Sequence, residues 1–241
     1  MNDTRRVKTF IGTMFVAGAS AAGYAVSQSH TLHPYLAFTV LALAATTSRM
    51  KVKFPGINGN MSVNLPFLLT AVVSLSAPEV VTIALISTIV QCWPQKSAKF
   101  KPQQMFFNVS MMVFAASIAS LVFSAGRPPF TRSSTPLAIS LATLILLLGQ
   151  TIPVAGIVSL TEKKPVGPMW WNLVQLSFPY YVVSAGITTM IGSVSSHMGW
   201  PLALGVFPVM YGIHRSYQLY FRNTAEFVRP VALARAAGAG A

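Results

Sequence analysis

The sequence predicts an all-α polytopic membrane protein: a helix bundle of about eight transmembrane helices with both termini in the cytoplasm. Three observations predict it. Hydrophobic residues make up 53% of the 241-residue chain and charged residues only 9%, against about 25% charged in a soluble domain. Eight apolar stretches joined by short polar connectors account for nearly everything from Thr9 to Phe221. The cations lie in short clusters between those stretches, where the positive-inside rule places them. A soluble domain and a disordered chain are thereby excluded, and with Cys92 as the sole cysteine so is a disulfide framework.

A spanning helix needs about 20 apolar residues. The candidate spans are 9–27, 34–48, 61–76, 79–94, 103–125, 136–160, 170–194 and 201–221, of which the second to fourth are short. The first could be misread as a signal peptide, since Arg5-Arg6-Val7-Lys8 precedes an apolar run containing Ala17-Gly18-Ala19. Its continuation through Tyr24 and Val26 favours a retained helix. The small residues from Ala17 to Gly23 suit close helix–helix approach.

Residues 61–94 carry a single charge, Glu79, and read either as one very long helix or as two short ones. Ser76-Ala77-Pro78-Glu79 decides for two. Proline clashes with a preceding helical turn but suits a first turn, and Glu79 suits the positive end of a new helix. The cation count agrees: with eight spans and an inside N-terminus, fifteen of the 17 Lys and Arg fall inside, leaving Arg127 and Arg132 outside. Fusing the two helices moves the clusters at 96–101 and 215–235 outside and destroys the bias. Residues 1–229 thus form one transmembrane domain, followed by an Ala/Gly-rich tail at 230–241.

The formal net charge of +13 would suggest nucleic acid in a soluble protein. Here the cations are not interleaved with aromatics on a polar face, so nucleic acid is not an expected partner. Anionic lipid headgroups are. Trp93, Trp170, Trp171 and Trp200 lie at span ends and read as interfacial anchors.

Polar residues within spans are costly and mark function by default. They are Asn64, Gln91, Asn108, Gln150, Asn172, Gln175, Tyr180, Tyr181, Tyr211 and His214. Asn108, one turn into its helix, suits either an interhelical hydrogen bond or a ligand contact. Gln150 and Thr151 precede Pro153, Gln175 and Ser177 precede Pro179, and Tyr211 and His214 follow Pro208. Pro153 frees a carbonyl near Gly149 that Thr151 or Gln150 would satisfy. Three proline-interrupted helices in the C-terminal half either converge on a cavity lined by Gln150, Gln175, Tyr180 and Tyr211 or are kinked for packing alone. Asn108, Gln150, Gln175, Tyr180 and Tyr211 are therefore the candidate ligand-binding residues. His214, next to Arg215 at the inner edge, suits the C-terminal helix dipole.

No carboxylate sits clearly mid-span, which disfavours a proton-coupled transporter. His30, His33, His197 and His214 lack supporting carboxylates, so no metal site is expected. No nucleotide or kinase motif occurs, and no cofactor, catalytic residue or enzymatic activity is expected. The last helix should continue past the membrane to about Val228, where Pro230 stops it.

Three stretches together carry a resemblance. They are Asn60-Met61-Ser62-Val63-Asn64-Leu65 leading through Ala77-Pro78-Glu79 to Cys92, Phe106-Phe107-Asn108-Val109-Ser110, and Tyr211-Gly212-Ile213-His214-Arg215-Ser216-Tyr217-Gln218-Leu219-Tyr220. In that order they resemble the multi-pass N-terminal membrane region of bacterial signalling proteins with an HD-GYP or GGDEF output domain. The first stretch is also similar to S-components of energy-coupling-factor vitamin transporters, although those have six spans. The resemblance implies a sensory or small-molecule-binding module of the bacterial inner membrane, in stand-alone form because no output domain follows. Its implied partner is a cytosolic signalling enzyme or, on the transport alternative, an ATPase module. An intramembrane enzyme ranks last.

Overall fold

The computed structural model describes residues 2–28, 31–53, 60–94, 100–125 and 135–198, with Pro208, Tyr211, Gly212, Arg215, Ser216 and Leu219 as isolated positions. Among these residues the chain forms seven helices and one short hairpin. The helices are α1 (Asn2–Ser27), α2 (Pro34–Ser48), α3 (Leu65–Ser74), α4 (Ala77–Cys92), α5 (Pro102–Ala125), α6 (Thr135–Glu162) and α7 (Val166–Met198). The hairpin pairs β1 (Lys51–Lys53) with β2 (Asn60–Ser62) in antiparallel register, Lys51 opposite Ser62. Three helical segments, Arg5–Ser27, Pro102–Ala125 and Pro136–Glu162, are long and apolar enough to cross a membrane. The region expected as the eighth span and its cytoplasmic extension lies outside the described residues, apart from the isolated positions, which are helical and exposed.

The third span departs from expectation. A helix from Met61 was anticipated, but Met61 and Ser62 belong to β2 and the helix starts at Leu65. Proline has no N–H and is accommodated without loss only in a first turn, and Pro66 occupies that position in α3. Ten residues rise only about 15 Å, half the hydrocarbon thickness. Every residue from Leu65 to Val72 is buried, as expected of a helix apolar on all sides. It packs against α2, α4, α5, α6 and α7.

The break between α3 and α4 falls where the Ser-Ala-Pro-Glu tetrad places it. The buried Glu79 carboxylate accepts the Ser76 N–H at 2.9 Å and the Ser76 hydroxyl at 2.6 Å. Its other oxygen accepts the backbone N–H of His33, the residue capping α2. One carboxylate thus holds the starts of two helices, where the dipole favours an anion.

The long helix α5 packs against α1, α4 and α6, and α6 against α7. Close approach depends on missing side chains: a Cβ at Gly18 of α1 would lie 2.6 Å from the Ser110 carbonyl oxygen of α5. A Cβ at Gly149 of α6 would lie 2.8 Å from the Ala115 Cβ. Small residues of this kind are what allow membrane helices to touch.

Candidate functional site

The middle of α7 carries Ser177, Tyr180, Tyr181, Ser184 and Thr188 on the face that meets the rest of the bundle, all five buried. The Tyr180 hydroxyl accepts the Leu65 N–H at 3.2 Å, and the Thr188 hydroxyl donates to the Pro66 carbonyl at 3.2 Å. Two side chains two turns apart on α7 therefore clasp the first turn of α3. The Tyr181 hydroxyl donates to the Leu146 carbonyl of α6 at 3.4 Å.

Beside that clasp lies a cavity of about 130 Å³, lined from β2 and α3 through α7. It has room for several waters or one small organic molecule. The start of α3 contributes Asn64, Leu65 and Leu68; α4 contributes Thr88 and Gln91; α5 contributes Asn108, Met111 and Met112. Gln150, Thr151 and Val154 of α6 face Leu173, Ser177, Tyr180 and Tyr181 of α7, and Ser62 closes the hairpin side. Ten of these sixteen side chains are polar and none carries a formal charge. The surface they expose to the cavity is nonetheless mostly apolar, as in ordinary ligand pockets, where a few placed polar groups fix orientation.

Most of the hydroxyls are already engaged. Thr88 donates to the Ala84 carbonyl at 2.6 Å, Ser62 to the Ser48 carbonyl at 3.1 Å, and Thr151 to the Leu147 carbonyl at 2.7 Å. Thr151 also accepts the Trp170 indole N–H at 3.2 Å. It thus serves the Leu147 carbonyl rather than the Gly149 carbonyl that Pro153 was expected to free. The Asn108 amide donates to the Cys92 sulfur at 3.4 Å, an interhelical contact made at the cavity wall. Three carboxamide atoms differ: Asn64 Nδ2, Gln91 Oε1 and Gln150 Nε2 are buried without a hydrogen-bond partner. All three residues line this one cavity. Buried polar groups are nearly always paired, so three unpaired atoms at one cavity call for an explanation.

The structure brings Asn108, Gln150 and Tyr180 together at this cavity, as three of the five candidate residues. It does not bring the other two. Gln175 is exposed; it lies two positions before Ser177, roughly 200° around the helix, and so faces away. Tyr211 is 57% exposed. The cavity is not confined to the C-terminal half as expected, because α3 and α4 supply Asn64, Gln91 and Thr88. Both amides were visible as in-span polar residues. What hid their role was the late start of α3, which puts Asn64 inside the bundle.

Comparison with protein-family models, with curated proteins and with solved structures finds no match.

Proposed function

We propose that this chain is an eight-span bacterial inner-membrane module, both termini cytoplasmic, that binds a small molecule in the α3–α7 cavity and acts through a partner protein. The observation that carries the binding reading is the set of three unpartnered carboxamide atoms on one cavity. Each unmade hydrogen bond of this kind costs about 1–3 kcal/mol, a cost that a ligand with matching polar groups removes.

Charge placement supports the topology. Arg6 at the start of α1 shares a groove with Lys163 and Lys164 beyond α6, and Lys8 shares another with Pro102 and Gln103 at the start of α5. The Arg49 guanidinium reaches the Val90 carbonyl near the end of α4 at 3.5 Å. Cations distant in sequence gather at the bundle end where all five helix termini are read as cytoplasmic, a surface suited to anionic headgroups. Glu79 and His33 mark the other end.

The experiment is a thermal-unfolding screen of the purified full-length protein against vitamins, quinones and small metabolites, repeated with Gln150→Leu. Stabilisation of the wild type that Gln150→Leu abolishes supports the reading. A screen without any stabilising compound, together with a Gln150→Leu protein more stable than wild type, overturns it. The partner reading is tested by crosslinking from a cysteine at Asn223 in native membranes: one discrete protein adduct supports it, and lipid adducts alone overturn it. An adduct with an ATPase subunit would shift the reading to the S-component-like alternative.

A further inference from the structure

The geometry points to a small organic carboxylate as the ligand of this cavity, its charge seated at the N-terminal end of α3. The inference rests on the reading of the cavity as a ligand site.

The first observation is the helix end itself. The N-terminus of a helix carries about half a positive elementary charge; in α3 the Leu65 N–H is already given to Tyr180 and Pro66 has none, so this charge acts on the cavity through the helix dipole. In membranes, helices that begin at depth direct this end at anionic groups. The ten-residue helix α3 begins inside the bundle, with Asn64 as its N-cap and Asn64 and Leu65 both lining the cavity.

The second observation is independent of the first. An N-cap asparagine ordinarily turns its oxygen onto a backbone N–H two or three positions on. Asn64 makes no such bond, and the residue two positions on is Pro66, which has no N–H. Asn64 is 3% exposed, and its Nδ2 is buried without an acceptor. From α6, Gln150 Nε2 is a second buried donor without an acceptor on the same cavity.

Two amide donors and a positive helix end specify an acceptor with negative charge. No acidic side chain lines the cavity to compete for them. In the hairpin register Lys51 is paired with the cavity residue Ser62. The unpartnered Gln91 Oε1 is an acceptor, so a carboxylate that also bears a hydroxyl would satisfy all three orphaned atoms.

The test uses full-length protein in nanodiscs of zwitterionic lipid, titrated calorimetrically with benzoate, 4-hydroxybenzoate and the neutral isostere benzamide. The expected result is carboxylate binding about tenfold or more tighter than benzamide, the range set by a charge-assisted hydrogen bond. Asn64→Asp should weaken carboxylate binding by about tenfold or more, by placing a like charge at the helix end. Gln150→Glu should do the same from α6, so a folding failure in one variant leaves the other decisive. Equal binding of benzamide and benzoate, both lost in Gln150→Leu, would overturn the carboxylate while leaving the cavity a ligand site. Binding of none of the three probes overturns the carboxylate as well, and the wider screen then decides whether the cavity binds anything.

Discussion

The backbone N–H of Leu65 donates to the hydroxyl of Tyr180 at 3.2 Å, across 115 residues of sequence. The first N–H groups of a helix have no partner within it, and α3 receives no cap from Asn64. Tyr180 therefore supplies from α7 what a local cap ordinarily supplies, and ties the cavity wall to the helix that begins there.

Tyr180→Phe keeps the ring and removes this acceptor. It should destabilise the protein by about 1–2 kcal/mol, the usual cost of a buried donor left unpaired. Thermal or denaturant unfolding of the purified protein measures it. A Tyr180→Phe protein as stable as wild type would mean that the Leu65 N–H finds another acceptor.

The approach of α1 to α5 predicts a contrast between two glycines on the same helix. Gly18→Ala forces a Cβ to 2.6 Å from the Ser110 carbonyl oxygen, whereas Gly23→Ala meets nothing within 4 Å. Overpacking of this kind costs about 1–3 kcal/mol, while Gly23→Ala should be neutral or slightly stabilising, since Ala is the better helix former. Equal effects in an unfolding assay would refute the packing of α1 on α5.

Glu79→Gln replaces one carboxylate oxygen by an amide that must face a donor. Two of its three bonds come from backbone N–H groups at the starts of α2 and α4. The expected loss is about 1–3 kcal/mol. Ser76→Ala removes the hydroxyl bond at 2.6 Å and the N-cap acceptor of the capping box but keeps both backbone N–H bonds to the carboxylate; it should cost less, about 1 kcal/mol. The order of the two unfolding midpoints is the measurement.

Topology is tested by cysteine-accessibility labelling in a Cys92→Ala background. Cysteines replacing Ser97 and Thr161 should label from the cytoplasmic side, and those replacing Ser133 and Ser195 from the periplasmic side. Ser97 and Ser133 on one side would break the eight-span reading at its fifth span.

Much of the architecture was legible because it follows from local chemistry and solvent. Apolar runs such as Pro102–Ala125 must be helical in a membrane, since lipid satisfies no backbone polar group. Pro78 and Glu79 place a helix start wherever the rest of the chain lies. Where Asn64 or Gln175 faces was not legible. One is buried and the other exposed, and nothing in residue type separates them.

By itself, then, the sequence determined a helical chain with runs long and apolar enough to cross a membrane, the break at Ser76–Glu79, the interior polar inventory and the clustering of its cations. Each is set by hydropathy, proline geometry or charge within a few residues. Only the tertiary structure decided that α3 is a half-length helix starting inside the bundle, and that Asn64, Gln91 and Gln150 share one cavity while Gln175 and Tyr211 do not reach it. Those outcomes depend on contacts across more than a hundred residues, such as Tyr180 with Leu65 and Thr188 with Pro66. Such pairings arise from the rotation and depth of packed helices, which no local pattern encodes.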